Sequence, residues 1–470
     1  MISNCCNVSS HQRQALVSMI VRGIGICVLG LSLGLAVFNM ESLPTQMLIA
    51  ISAGLLLLIF PIAPATFLLV YLLSLAFLDA LIPFFTTDQS GLRFGPQILF
   101  RGGLTVLLAY YWLANHMNPL AFKPAIPMLL LLMLLVISTL VSGVRIQVGI
   151  ITLAKHVYWM LLLLTVADMV KQGNMKLETI YLCVIISALC FMIIVVIAPF
   201  LGIDLGSFYD IGDARGPYAP HGLALCLCQA FIVALALCST QKNRFFLSIL
   251  LLFCVAAAIS IARTYVRTGY LSFFASLSIF TLSVWHYGKR QTILLRYRTL
   301  LSIIFIIIIG SLCVYGLTHA EAFKERNRDL SSVETAGSGR TIIYRKALEK
   351  YSDSSIYQQL LGSGLGDMYF LMGTELKVPH NDYFVFLLAG GLLGLALHIW
   401  LLVSLWRQIK LTAQINYLPL IITNSVMGMF VVATMTNPVV GYMSVMAFFS
   451  FLVGGAMGHY ARADQILAQR

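Results

Sequence analysis

Runs of about twenty apolar residues, parted by short polar breaks, repeat along the whole chain. They fall near 15–38, 46–62, 65–81, 99–115, 125–142, 149–168, 177–201, 220–239, 245–262, 268–285, 299–317, 381–406, 417–436 and 440–458. Each can cross a hydrocarbon core of ~30 Å as a helix. Lipid offers no partner to a backbone N–H or C=O, so an open segment crosses only as a helix. The pattern therefore predicts an all-α polytopic membrane protein of about 12–14 transmembrane helices. The second and third runs are short and split only by Phe60-Pro61 and Pro64, so twelve spans plus a re-entrant pair also fit. One interruption differs in kind, a polar stretch from Thr318 to Pro379. It divides the chain into transmembrane helices over 1–317, a large loop over 318–379 and C-terminal transmembrane helices over 380–470.

Composition agrees. Of the 470 residues 60% are hydrophobic and 10% charged, with a mean hydropathy of +0.91, where a soluble domain carries about 25% charged residues. The net charge of +12 takes its meaning from where the charges lie. Alternating the spans from a cytoplasmic N-terminus puts Arg13, Arg22, Lys123, Lys171, Lys176, Lys242, Arg244, Lys289, Arg290, Arg296, Arg298, Arg407, Lys410, Arg462 and Arg470 on one side. The other side's short loops hold Arg93, Arg101, Arg145, Arg215, Arg263 and Arg267. That bias sets both termini in the cytoplasm and the large loop on the opposite side, periplasm or exterior, and it removes nucleic acid as a partner. The first run is too long for a signal peptide and lacks an A-x-A site. All ten cysteines fall in spans or in the N-terminus, so no disulfide framework is expected. Cys226-x-Cys228 reads as packing, not as a metal site.

The large loop holds eight basic and eight acidic residues, a third of the chain's charges. Ser338 can cap a helix beginning near Arg340, with Ile342, Ile343, Ala347, Leu348 and Tyr351 at helical spacing. Such amphipathic helices lie on a membrane or cover a cavity between spans. Gly362-Ser-Gly364-Leu-Gly366 reads as a turn; it lacks the strand–turn–helix setting of a phosphate loop.

Charges near lipid mark candidate chemistry. Arg263 closes one span and Arg267 opens the next, on the outer side. Snorkelling to headgroups is the ordinary explanation for both. Yet a cation at a helix N-terminus, already positive, suits a bound anion. Arg215 can pair with Asp210 or Asp213, or join that anion site. Lys155 and His156 lie about two turns into their span, as pocket residues or as interhelical hydrogen-bonders. Asp79 and Asp168 read as caps. His380 sits at the outer mouth of the bundle, where a base is plausible, with Asn381 and Asp382 as N-cap candidates. Gly390 and Gly394 form a small-xxx-small pair for close helix packing.

Three patches in this order resemble the O-antigen ligase and O-antigen polymerase superfamily. They are Arg267, Ser338-Gly339-Arg340, and His380-Asn381-Asp382-Tyr383 with Gly390-Gly391-Leu-Leu-Gly394; the detailed likeness spans about 130 residues, 263 to 395. The resemblance implies a bacterial inner-membrane enzyme that transfers glycan from an undecaprenyl-pyrophosphate carrier to an acceptor hydroxyl. It assigns functional weight to Arg267, Arg340 and His380. Tyr344 departs from the family, which often has tryptophan four residues after the loop arginine.

The residues suit that chemistry. Arginine binds phosphates bidentately, so Arg267 and Arg340, with Arg215 and Arg263, would hold the pyrophosphate. His380 would act as general base in an inverting displacement; Lys155, His156, Asn381, Asp382 and Tyr344 would line the pocket. No D-x-D pair occurs in the outer loops, so neither metal nor other cofactor is expected. The acceptor would be a lipid-linked repeat unit, for a polymerase, or lipid A–core, for a ligase. The span count and Tyr344 favour the polymerase slightly. A flippase for the same lipid is the lesser alternative; it would show charges at mid-membrane and broken half-helices. Membrane lipid and other polysaccharide-assembly proteins complete the expected partners.

Overall fold

A computed structural model describes residues 59–80, 96–197, 220–264, 266–288, 340–367, 379–411 and 417–468. Thirteen α-helices occupy them: α1 (Pro64–Ala80), α2 (Pro96–Ala114), α3 (Ala125–Ser142), α4 (Ile146–Gln172), α5 (Leu177–Ile197), α6 (Pro220–Cys238), α7 (Arg244–Arg263), α8 (Arg267–Gly288), α9 (Arg340–Ser352), α10 (Ile356–Leu361), α11 (Asp382–Leu411), α12 (Tyr417–Thr436) and α13 (Met443–Ala468). No strand occurs among the described residues. Nine of these helices are long and apolar enough to cross a membrane. The expected spans 15–38 and 299–317, most of 46–62, and the cap Ser338 lie outside the described residues.

The helices form two units, each with its own core. In the first, α1 packs on α5. Phe60 meets Phe67 and Tyr111, and Phe100 stacks with Phe67 and Tyr71. Asp79 is not a cap: its carboxylate pairs with Arg101 of α2 at 2.5 Å. Arg101 lies inside that helix rather than in an outer loop. Two opposite charges beside lipid neutralise each other, where either alone would be costly. Asp168 in α4 is likewise no cap and accepts from Gln172.

The second unit holds α3, α4 and α6–α13. Its tightest seam joins α4 to α13. A Cβ on Gly454 would lie 2.4 Å from the Leu163 carbonyl oxygen, and one on Gly458 would lie 2.1 Å from that of Ala167. Only glycine lets the two backbones approach so closely. Cys228 is buried and turns its thiol to the Gly269 carbonyl at 3.8 Å.

The sequence reads 381–406 as one span, but α11 is broken. Gly391 has φ 64° and ψ −164°, and the limbs 382–390 and 392–411 fold back on each other. The Phe386 ring stacks on His398 at 4.1 Å, and Tyr383 meets the same ring at 5.5 Å. In a straight helix those pairs would stand ~18 and ~22 Å apart. The long limb alone spans ~30 Å. The break releases carbonyls from the helix ladder. Ser363 N–H donates to Leu388 O at 2.9 Å, and Gly364 N–H donates to Ala389 O at 3.1 Å. Leu365 N–H goes to Thr139 Oγ1 of α3 at 3.1 Å. The Gly-Ser-Gly-Leu-Gly segment is thus a buried wedge between α3 and the elbow of α11.

Two loop helices precede that wedge. On α9 the buried face is Ile343 and Ala347, while Ile342 and Leu348 are exposed. A capping box from Ser355 and Gln358 starts α10. Lys350 pairs with Asp367 at 2.9 Å, closing the wedge onto α9.

Candidate active site

Chain direction brings the starts of α6, α8, α9, α11 and α13 and the end of α12 to one end of the second unit. Arg267 is the first residue of α8 and Arg340 the first of α9; both are half-buried. Tyr344, one turn beyond Arg340, stacks on Phe384 at 5.1 Å. Its hydroxyl donates to the His380 carbonyl at 3.0 Å and reaches the Met435 carbonyl at 3.3 Å. A tyrosine here supplies the flat ring and donor that an indole would also offer.

Asn381 does cap α11: its Oδ1 accepts from Tyr383 N–H at 2.8 Å and Phe384 N–H at 3.4 Å. Its amide also donates to Met435 O at 3.0 Å, tying α11 to α12. Asp382 is buried and does something else. Its Oδ2 accepts from Val439 N–H at 2.9 Å and Val440 N–H at 3.3 Å, pinning the 3-10 turn Val439–Gly441 that leads into Tyr442.

These groups shape one another's charge. Arg340 is held below its ordinary pKa by burial, and the Arg267 cation adds to that while Tyr344 and Tyr442 oppose it. Arg340 makes no ion pair among the described residues. His380 is pushed below its ordinary 6.5 by burial first and by the Arg340 cation second, both of which favour the neutral imidazole. Its Nδ1 is buried without a partner. Burial and Asp382 push the Tyr442 hydroxyl up to about 12, against the pull of Arg340. The cluster thus joins Arg267, Arg340, Tyr344, His380 and Asp382 with Tyr442.

The other sequence candidates lie apart from these contacts or beyond view. Arg263 is exposed at the end of α7, where Tyr270 Oη donates to Ala262 O at 2.6 Å to close the α7–α8 turn. Lys155 is half-buried on α4. His156 is buried, with Nδ1 bonded to Thr152 O at 2.9 Å, and lies edge-on to Phe386 of the short α11 limb at 5.6 Å. Arg215 lies outside the described residues. Among the described residues no three His, Cys, Asp or Glu side chains gather as a metal site.

Sequence reasoning missed Tyr442, His398 and the contact between His221 and Asn437. One signal for the last was present: Asn437-Pro438 is a turn dipeptide inside an otherwise apolar stretch.

The family model described as O-antigen ligase matches residues 252–399, from the middle of α7 into the long limb of α11. That stretch contains Arg263, Arg267, Arg340, Tyr344, His380 and Gly391. No curated protein matches the chain. Residues 252–399, under a third of the chain, are thus similar to the O-antigen ligase family, in agreement with the resemblance to the O-antigen ligase and polymerase superfamily that the sequence carries.

Proposed function

We propose that the protein transfers a glycan from an undecaprenyl-pyrophosphate carrier to an acceptor sugar hydroxyl at the periplasmic face of the bacterial inner membrane. The observation that carries this reading is Arg340, a half-buried guanidinium that makes no ion pair among the described residues and lies within the electrostatic reach of a second cation, Arg267. Like charges withdrawn from water are unfavourable unless an anion joins them. A pyrophosphate fits, since its oxygens match the guanidinium fork and helix N-termini offer further N–H donors.

The chemistry follows from the same groups. The neutral His380 takes the proton of the acceptor hydroxyl as that oxygen attacks the anomeric carbon. The bond to the carrier breaks, its electron pair leaves with the phosphate oxygen, and the configuration inverts. Arg267 and Arg340 stabilise the charge that grows on the leaving pyrophosphate. The activated carrier bond supplies the driving force, and the guanidiniums supply the positive charge without a metal ion.

Polymerisation of carrier-linked repeats is the first reading of the acceptor. Ligation to lipid A–core is the second, and the description of the matched family favours it. Purified protein given carrier-linked repeats, with and without lipid A–core, separates them: a ladder without the core means polymerase, and product only with the core means ligase. Transport of the same lipid gains one feature, the broken α11. The carbonyls released there are taken by Ser363 and Gly364 instead of facing a path, so transport is not favoured. If the arginines grip pyrophosphate, Arg267→Ala and Arg340→Ala each weaken carrier binding; unchanged affinity in both would leave them structural.

A further inference from the structure

The imidazole assigned above as the base lacks a group that orients its ring. A catalytic histidine is commonly directed by a carboxylate or carbonyl bonded to its second ring nitrogen. Here His380 Nδ1 is buried and has no hydrogen-bond partner. The direction of the ring therefore depends on the backbone that carries it. His380 precedes α11 and stands outside its ladder: Asn381 N–H turns back to Pro379 O at 2.6 Å, and Phe384 N–H goes to Asn381 Oδ1. The His380 carbonyl thus gets no donor from its own helix. Among the described residues its one donor is the Tyr344 hydroxyl, at 3.0 Å.

That hydroxyl is itself held in place. It stands 3.3 Å from the Met435 carbonyl in the last turn of α12, to which Asn381 Nδ2 also donates at 3.0 Å. It therefore sits where α9, the head of α11 and the end of α12 meet. The Tyr344 ring is stacked on Phe384, with centroids 5.1 Å apart and planes 29° apart. Ile343 and Ala347 seat α9 by its buried face, and Lys350 ties the far end of the helix to Asp367. Arg340 lies one turn before Tyr344, on the same side of the helix and ~6 Å along its axis. One helix thus carries both a guanidinium suited to the donor and the clamp on the base.

We propose that Tyr344 is a positioning residue for His380: by holding the His380 carbonyl it sets where the imidazole meets the acceptor hydroxyl, and through α9 it keeps that base at a constant distance from the phosphate that Arg340 grips. This rests on the reading of His380 as base and Arg340 as pyrophosphate ligand. It gives the tyrosine a part in the rate of transfer and none in the binding of the donor.

The test uses the full chain in detergent, with carrier-linked glycan as the substrate and farnesyl pyrophosphate as the binding probe. Tyr344→Phe keeps the ring on Phe384 and removes the hydroxyl alone. Its kcat should fall about tenfold or more, since a reacting group misplaced by ~1 Å can cost ~100-fold. The donor KM and the affinity for farnesyl pyrophosphate should stay near wild type. A residue that acts through His380 has nothing to act on without it. Adding Tyr344→Phe to His380→Ala should therefore leave the residual rate unchanged. Lys350→Met, which loosens α9 at its other end, is the control for a loose helix and should keep kcat. An unchanged kcat in Tyr344→Phe, or a raised donor KM with kcat intact, overturns the proposal while a low rate in His380→Ala leaves the base reading standing. The same fold-loss with and without His380, or an equal fall in Lys350→Met, makes the tyrosine structural and also overturns the proposal. Near-normal transfer in His380→Ala overturns the base reading itself, and this inference with it.

Discussion

Replacing Gly391 by alanine adds one methyl group to a backbone that has no room for it. The pair φ 64°, ψ −164° lies in a region that is essentially glycine's alone, and holding another residue there costs about 1–3 kcal/mol. The new Cβ would stand 2.3 Å from the Leu360 carbonyl carbon and 2.4 Å from its oxygen. Carbons rest ~3.5 Å apart, so the end of α10 must retreat by ~1 Å. That retreat stretches the bonds from Ser363 N–H and Gly364 N–H to the elbow carbonyls, each contributing ~1 kcal/mol. The combined loss is about 3–5 kcal/mol. The neighbouring substitution Gly390→Ala is the control. Its Cβ meets Leu134 at 3.4 Å, an ordinary contact, on helical backbone, and alanine is the better helix former by ~1 kcal/mol. The expected change there is near zero or slightly stabilising. Thermal unfolding in detergent should show Gly391→Ala several degrees below wild type and Gly390→Ala close to it. Transfer should fall in Gly391→Ala, because the short limb carries His380 at its head. Equal midpoints for the two alanine variants would mean that α11 runs straight.

His380→Ala should lower transfer by about 10²–10⁴-fold, the range for a lost general base, while the variant still binds carrier lipid; near-normal product refutes the assignment. The pH profile tests the charge of that base. His380 must be neutral to act, and its pKa is depressed, so activity should persist below the ordinary titration range of histidine. Arg340→Gln removes a cation that opposes the imidazolium, the His380 pKa rises, and the acid limb of kcat moves to higher pH. Arg340→Lys leaves that limb in place, and an unmoved limb in both variants refutes the coupling. Asp382→Leu leaves the Val440 N–H without an acceptor and the Val439 N–H with only the Asn437 carbonyl, a loss of about 1–3 kcal/mol. Asp382→Asn keeps an acceptor oxygen and should cost less; the reverse order in thermal unfolding would show that the carboxylate does not hold the turn.

The helices were legible in the sequence because lipid demands long apolar runs, and their ends follow local signals such as Pro96, Pro220 and Asn243. Arg267, Arg340 and His380 were legible because each stands where an apolar run or an amphipathic helix begins. The elbow of α11 was not. The small-xxx-small pattern draws attention to Gly390 and Gly394, yet the residue with left-handed φ is Gly391, and its conformation depends on the wedge at Leu360–Gly364. A local capping reading of Asp382 fails for the same reason, since its partners lie 57 and 58 residues away. The Asn437–His221 contact spans 216 residues. Sequence spacing reports what a residue does to its own helix and is silent about what arrives from elsewhere.

The charge of the site also changes the meaning of the break in α11. A straight helix entering the bundle at Asp382 would carry its N-terminus past the mouth in one direction only. Folding the short limb back at Gly391 leaves His380, Asn381 and Asp382 on a limb held from three sides, by Tyr344, by Met435 O and by the Val439–Gly441 turn. Four further helices begin at the same end, and each N-terminus carries about half a positive charge. Arg267 and Arg340 add to that, while the carboxylate of Asp382 is spent on two backbone N–H groups. A neutral sugar would gain little from this arrangement. An anion with several oxygens would gain from every part of it, which is why the pyrophosphate reading suits this end of the bundle better than a neutral ligand does.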